Sequence, residues 1–180
     1  MTIPALDALP WFLPGSMASV VVGFLARRRV GPALGSGQLL GWALIVSLGI
    51  VLAATLTPLN GAALESGGRV AGCDFSRIGL PSAEDVASLG DTTLNILLLV
   101  PLGLCLGLLP RSTRKAILIA GAVVLPVVIE TTQLLAVPIG RACQSADVVD
   151  NVGGLLIGLA VGAAAGRLRS ISGDSDRPRR

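Results

Sequence analysis

The sequence contains no histidine and no tyrosine, and aromatic residues make up only 3% of its 180 positions. The missing histidine removes the side chain that most often acts as general base and metal ligand near neutral pH. It also leaves no Ser-His or Cys-His pair, so no catalytic nucleophile is visible, and whether the chain is an enzyme stays open. Charge is scarce too, at 14% of residues, against about a quarter in an average soluble protein. Cysteine is limited to Cys73, Cys105 and Cys143. None stand in a CxxC spacing, which argues against a zinc or iron–sulfur centre. Neither a metal nor a cofactor is expected.

What is present is apolar surface, with 52% hydrophobic residues and a formal net charge of +3. The arginines stand at the ends of apolar segments and do not form one face, so the excess concerns membrane orientation and not nucleic acid. A helix crossing a hydrocarbon core of about 30 Å needs roughly 20 apolar residues. Five segments meet or approach this: Trp11–Ala26, the shortest, then Gln38–Thr57, Asp91–Leu109, Ala116–Val137 and Val148–Ala165. The sequence therefore predicts an all-α, polytopic membrane helix bundle of about five transmembrane helices over residues 1–166, followed by a basic tail, 167–180. Met1–Pro10 holds no Lys or Arg, whereas Arg27, Arg28 and Arg29 follow the first segment. That is the reverse of a signal peptide.

Orientation follows from the basic residues. With the 27–37 connection in the cytoplasm, the 110–115 connection and the tail are there too, and together they hold eleven of the fourteen basic residues. Only Arg69, Arg77 and Arg141 fall on the other side. The positive-inside rule thus predicts a multi-pass protein of the cell membrane with its N-terminus outside and its C-terminus cytoplasmic. The tail is also placed to touch anionic lipid. The long segment from Pro58 to Gly90 is then external. Within it LPSAEDVASLG predicts a short helix capped by Ser82, with Glu84 and Asp85 in its first turn.

Ionisable and amide groups inside such spans are expensive and mark candidate sites. Glu130 lies about seven residues, roughly 10 Å, below the outer end of the fourth span, with Gln133 on the same face. In the third span Asp91 and Asn95 are one turn apart. In the fifth Asp147 and Asn151 have the same relation, with Asp150 beside them, and Arg141 lies in the connection just before. Because the third and fifth spans enter from outside and the fourth leaves there, these groups share one depth band. Plainer readings stand beside this. Asp91 and Asp147 suit helix caps, the amides suit interhelical hydrogen bonds, Glu130 suits a protonated structural role, and Arg141 suits an ordinary loop charge.

Cys73 and Cys143 both fall on the outer side, where two thiols are natural disulfide partners, the alternative being that they stay unpaired. Cys105 lies within the third span and reads as a small apolar residue. Gly154, Gly158, Gly162 and Gly166 recur every four residues in the fifth span, a stripe that lets a neighbouring helix approach closely.

Three stretches resemble the VanZ-like membrane proteins: DTTLNILLLVPLG from Asp91 to Gly103, IETTQ from Ile129 to Gln133, and RACQSADVVDNVGG from Arg141 to Gly154. The similarity covers about residues 91–158. The family often has Phe where Leu99 stands and an acidic residue where Gln144 stands. What the resemblance implies is an envelope protein. The family's namesake is associated with lowered susceptibility to teicoplanin, which acts outside the membrane on lipid-linked cell-wall precursor. Carried over residue by residue, the candidates are Asp91, Asn95, Glu130, Gln133, Arg141, Asp147 and Asn151.

Three functions compete. The first is binding or modification of a polar envelope or lipid-linked group at the outer leaflet, with Arg141 on an anionic group and the carboxylates as acid–base or hydrogen-bonding partners. A divalent cation on Asp91, Glu130 and Asp147 is one form such a site could take. The second is proton-coupled transport through Glu130, and the third a structural or partner-binding role without chemistry.

Overall fold

The computed structural model describes residues 9–59, 72–88, 90–136 and 140–175, with side chains up to residue 169. Residues 1–8, 60–71 and 89 of the long connecting segment, 137–139 and the end of the basic tail, 176–180, lie outside the described residues. The elements, in chain order, are α1 (Phe12–Ala33), α2 (Gln38–Thr55), the two-residue strand β1 (Cys73–Asp74), the short helix α3 (Ala83–Ala87), α4 (Asp91–Leu108), α5 (Thr113–Leu135), β2 (Cys143–Gln144) and α6 (Ser145–Ser175).

Four of these helices are long and apolar enough to cross a membrane: α2, α4, α5 and the Ser145–Arg169 part of α6. They correspond to the second to fifth segments expected from sequence, within a few residues at each end. The first segment does form a helix, but α1 runs past Ala26 and through Arg27–Arg29 to Ala33. Its apolar run therefore ends well before the helix does. α6 likewise continues through the expected start of the tail at Arg167 to Ser175. The expected short external helix is α3. The Ser82 hydroxyl accepts from Asp85 N at 3.1 Å while Ser82 N donates to the Asp85 carboxylate at 3.0 Å, a reciprocal cap.

The core is aliphatic and shared by α2, α4, α5 and α6. Val51, Leu99 and Leu155 are fully buried, and Leu106 and Ile129 nearly so. The opposite faces are just as apolar, with Leu97, Ile117, Val128 and Ile157 all more than half exposed. A helix apolar all round belongs in lipid, where hydrocarbon covers what packing does not.

Small residues set the two tightest helix contacts. α4 and α6 lie parallel, and glycines of each meet the backbone of the other. A methyl group added at Gly158 would lie 2.2 Å from Val100 O, one at Gly103 2.2 Å from Leu155 O, and one at Gly107 2.6 Å from Leu159 O. Gly154, Gly158 and Gly162 thus act as the stripe predicted, whereas nothing stands within 4 Å of Gly166. A second seam, not read from the sequence, joins α1 to α2 in antiparallel fashion. A methyl group at Gly15 would lie 2.8 Å from Ala53 Cβ, one at Gly49 2.1 Å from Ser19 Cβ, and one at Gly41 2.6 Å from Gly31 N. The turn between these two helices passes through Gly35 at φ 65°, left-handed backbone that suits glycine.

The bundle consequently has two chemically distinct ends. At one, Lys115 Nζ donates to the Gly107 and Leu109 carbonyls, each at 2.8 Å, and the Arg114 guanidinium donates to the Ala33 carbonyl. These cations satisfy carbonyls left open where α4 and α1 finish. At the other end α2 and α5 finish while α4 and α6 begin, and the segment carrying β1 and α3 lies over them. β1 and β2 pair in parallel, Cys73 opposite Cys143 and Asp74 opposite Gln144. The Cys73–Cys143 disulfide joins the two strands with a Cα–Cα distance of 4.6 Å. Cys105 is free and buried, as expected.

Candidate functional site at the covered end of the bundle

The covered end is where the sequence concentrates its polar residues, and each reaches it from a helix terminus. The first turns of α4 and α6 bring Asn95 and Asp147 together: Asn95 Nδ2 donates to Asp147 Oδ1 at 2.7 Å. Asn151 stands one turn further along α6 and is 1% exposed, and its Oδ1 has no hydrogen-bond partner. From the last turns of α5, the buried Glu130 accepts the Gln144 backbone N–H on Oε2 at 2.8 Å. Its carboxylate lies within electrostatic reach of Asp147 and Arg141.

Gln133 and Arg141 turn to α2 instead. Gln133 Nε2 donates to the Thr55 carbonyl at 2.8 Å, and Arg141 donates through Nη2 to Ala54 O at 2.5 Å and through Nε to Thr57 O at 3.5 Å. Both satisfy carbonyls left open where α2 ends, and the cation also complements the negative end of its dipole. Burial pushes the Arg141 guanidinium below its ordinary value, against the opposing pull of the Asp147 and Glu130 charges. Asp91 opens α4 but is exposed, and its side chain caps nothing among the described residues. Of the seven candidates, then, Asn95 of α4 bonds Asp147 of α6, Asn151 stands one turn beyond Asp147, and Glu130 bonds the Gln144 backbone within electrostatic reach of Asp147. Gln133 and Arg141 serve the end of α2, and Asp91 stands exposed at the start of α4. Among the described residues no group of three carboxylates or thiols is placed to hold a metal ion, so Asp91, Glu130 and Asp147 do not form the cation-binding set considered above.

Sequence reasoning missed the strongest polar contact at this end. Arg77 donates to both oxygens of Asp150, Nη1 to Oδ1 at 3.0 Å and Nη2 to Oδ2 at 2.5 Å. Asp150 is 1% exposed and the Arg77 side chain 27%. Arg77 also reaches Gly79 O at 3.3 Å and Thr92 Oγ1 at 3.4 Å, and its own carbonyl accepts from Ser145 Oγ at 2.8 Å. The bidentate bond to Asp150 holds its charge more firmly and raises its pKa further. A signal existed: Asp150 sits four residues before Gly154, at the head of a stripe that packs backbone against backbone. A carboxylate there needs a cation, and that side of the chain has only three.

The disulfide, the strand pair and this ion pair together fasten the segment carrying β1 and α3 across the start of α4 and α6. Thr93 Oγ1 adds a fourth tie, donating to Val86 O of α3 at 2.6 Å. No curated protein and no solved structure matches the chain. The family model described as VanZ/LLP1 matches residues 44–165, which takes in α2, the covered end and most of α6, and the chain belongs to that family.

Proposed function

We propose that this VanZ-family protein resides in the cell membrane with its covered end outside, and that the polar cluster there binds or modifies a polar envelope group, such as the head of a lipid or a lipid-linked cell-wall precursor. The observation that carries the reading is the approach of Asn95, Glu130 and Asp147, from three different helices, with a buried acceptor on Asn151 one turn away that nothing among the described residues satisfies. Orientation rests on the separation of charge between the two ends, since Arg111, Arg114 and Lys115 gather at the end opposite the disulfide. A bridge between cysteines also suits the oxidising side of a membrane.

The test is Glu130→Gln, which keeps shape and removes charge. Loss of a teicoplanin-susceptibility phenotype in a variant that inserts and folds normally supports the site, and an unchanged phenotype removes it. A purely structural role has its own support in Gln133 and Arg141, which both end α2. Transport through Glu130 draws none, because Leu99, Leu102, Leu106 and Leu155 close the core below the polar band. Ion flux in proteoliposomes abolished by Glu130→Gln is the result that reverses this ranking.

A further inference from the structure

The covered end has a direction of hydrogen bonding built into it. Among the described residues its cations, Arg77 and Arg141, are engaged. Arg77 places both terminal nitrogens on Asp150, and Arg141 bonds the carbonyls where α2 ends. Gln133 and Asn95 each donate one amide hydrogen, to Thr55 O and to Asp147. Acceptor atoms are left over beside them. Asp147 uses Oδ1 and Glu130 uses Oε2, so the second oxygen of each carboxylate has no partner among the described residues. Asn151 Oδ1 is buried with none. Asn151 follows Asp147 by one turn on the same face of α6, about 6 Å further into the bundle. A carboxylate oxygen without a partner can accept from a donor, and a buried carbonyl oxygen needs one. An anion brought here would meet two carboxylates whose neighbouring guanidiniums are spoken for.

We infer that the cluster recognises a group that donates hydrogen bonds, an ammonium or a set of hydroxyls on an envelope headgroup, and rejects an anionic one. The inference rests on the reading of this end as a binding site and narrows it to a ligand class. It also moves Arg141 from a ligand contact to a positioning residue that fixes the end of α2.

The experiment uses the full chain in nanodiscs of phosphatidylcholine, with phosphatidylethanolamine, monoglucosyl diacylglycerol or phosphatidic acid added. Phosphatidylethanolamine and phosphatidylcholine differ at the head only in whether the nitrogen carries hydrogens, the glycolipid offers hydroxyls without charge, and phosphatidic acid offers an anion. Binding of labelled lipid and the shift in Tm are read. Phosphatidylethanolamine, the glycolipid or both are expected to bind at least about tenfold more tightly than phosphatidylcholine, which a charge-assisted hydrogen bond accounts for. Which of the two binds identifies the ammonium or the hydroxyl source. Asn151→Leu, which replaces the unpaired acceptor by an apolar side chain, should fold at least as well and lose most of the preference. Asp147→Asn serves the same purpose should the leucine variant fail to insert. Phosphatidic acid binding as tightly as the donors, in a manner either variant weakens, overturns the inference and leaves the site standing. A donor preference unmoved by both variants overturns its assignment to this cluster. No preference among the lipids, with Glu130→Gln silent as well, removes the site and the inference together.

Discussion

At the scale of single residues, burial decides which polar groups matter to stability. Asp150 is almost wholly buried and, among the described residues, its charge is paired with Arg77. Removing one partner of a buried pair costs about 3–5 kcal/mol, and with Arg77 partly exposed about 3 kcal/mol is expected for Arg77→Ala, read as a lower Tm in detergent. Replacing both, as in Arg77→Ala with Asp150→Leu, should recover most of that loss, because no charge is then left buried. A double variant no more stable than the single one would mean that Arg77 acts through Gly79 and Ser145. The sequence made the intramembrane carboxylates and amides legible because such groups are rare at that depth. It could not show their partners. Gln133 and Arg141 bond main-chain carbonyls of α2, which no side-chain pattern records, and Arg77 reaches Asp150 across more than seventy positions.

At the scale of elements, neighbouring glycines in α6 have opposite duties. A methyl group at Gly154 would stand 1.9 Å from Ile96 O, whereas one at Gly153 meets nothing within 4 Å. Gly153→Ala should therefore raise stability by up to about 1 kcal/mol through helix propensity. Gly154→Ala should lower it by about 1–3 kcal/mol by forcing α4 and α6 apart. Thermal unfolding of the two variants in one detergent checks the pair. The short helix α3 carries a pH dependence. The bonds from Ser82 hold the Asp85 carboxyl below its ordinary value of 3.8. With the folded value depressed, its contribution is fully present above the ordinary value and disappears as pH falls through the folded one. Amide exchange of residues 83–87 should stay slow at neutral pH and quicken only below about pH 4, and Ser82→Ala should quicken it at every pH. The four long apolar helices were legible because length and hydropathy define a span. The end of α1 was not, since Arg27–Arg29 stop an apolar pattern without stopping a helix. The β1–β2 pair was not either, being two residues long with only its cysteines to announce it.

At the scale of the molecule, the fold is two helix pairs closed by small residues with α5 packed beside them, capped at one end by basic side chains and at the other by the fastened segment that carries β1 and α3. Cys73→Ser should lower stability by about 2–4 kcal/mol in the loop-entropy account, towards the low end because inserted helices are already constrained. A reductant should reproduce the shift in the parent and leave Cys73→Ser unchanged. For the proposed orientation, a fluorescent protein fused after Arg180 should fluoresce in cells, and a periplasmic alkaline phosphatase there should stay inactive.

The glycine seam has one more consequence. Because its small residues recur every four positions on both helices, it is a periodic track. Sliding α6 along α4 by one turn, about 6 Å, would again set glycine against glycine. The glycine spacing by itself thus does not exclude a seating one turn away. What singles out one is aperiodic and lies entirely at the covered end: a disulfide, a carboxylate–amide bond and a guanidinium–carboxylate clasp, none of which spans a 6 Å slip. Asp147, proposed to read a ligand, therefore also works as part of the index pin of the bundle.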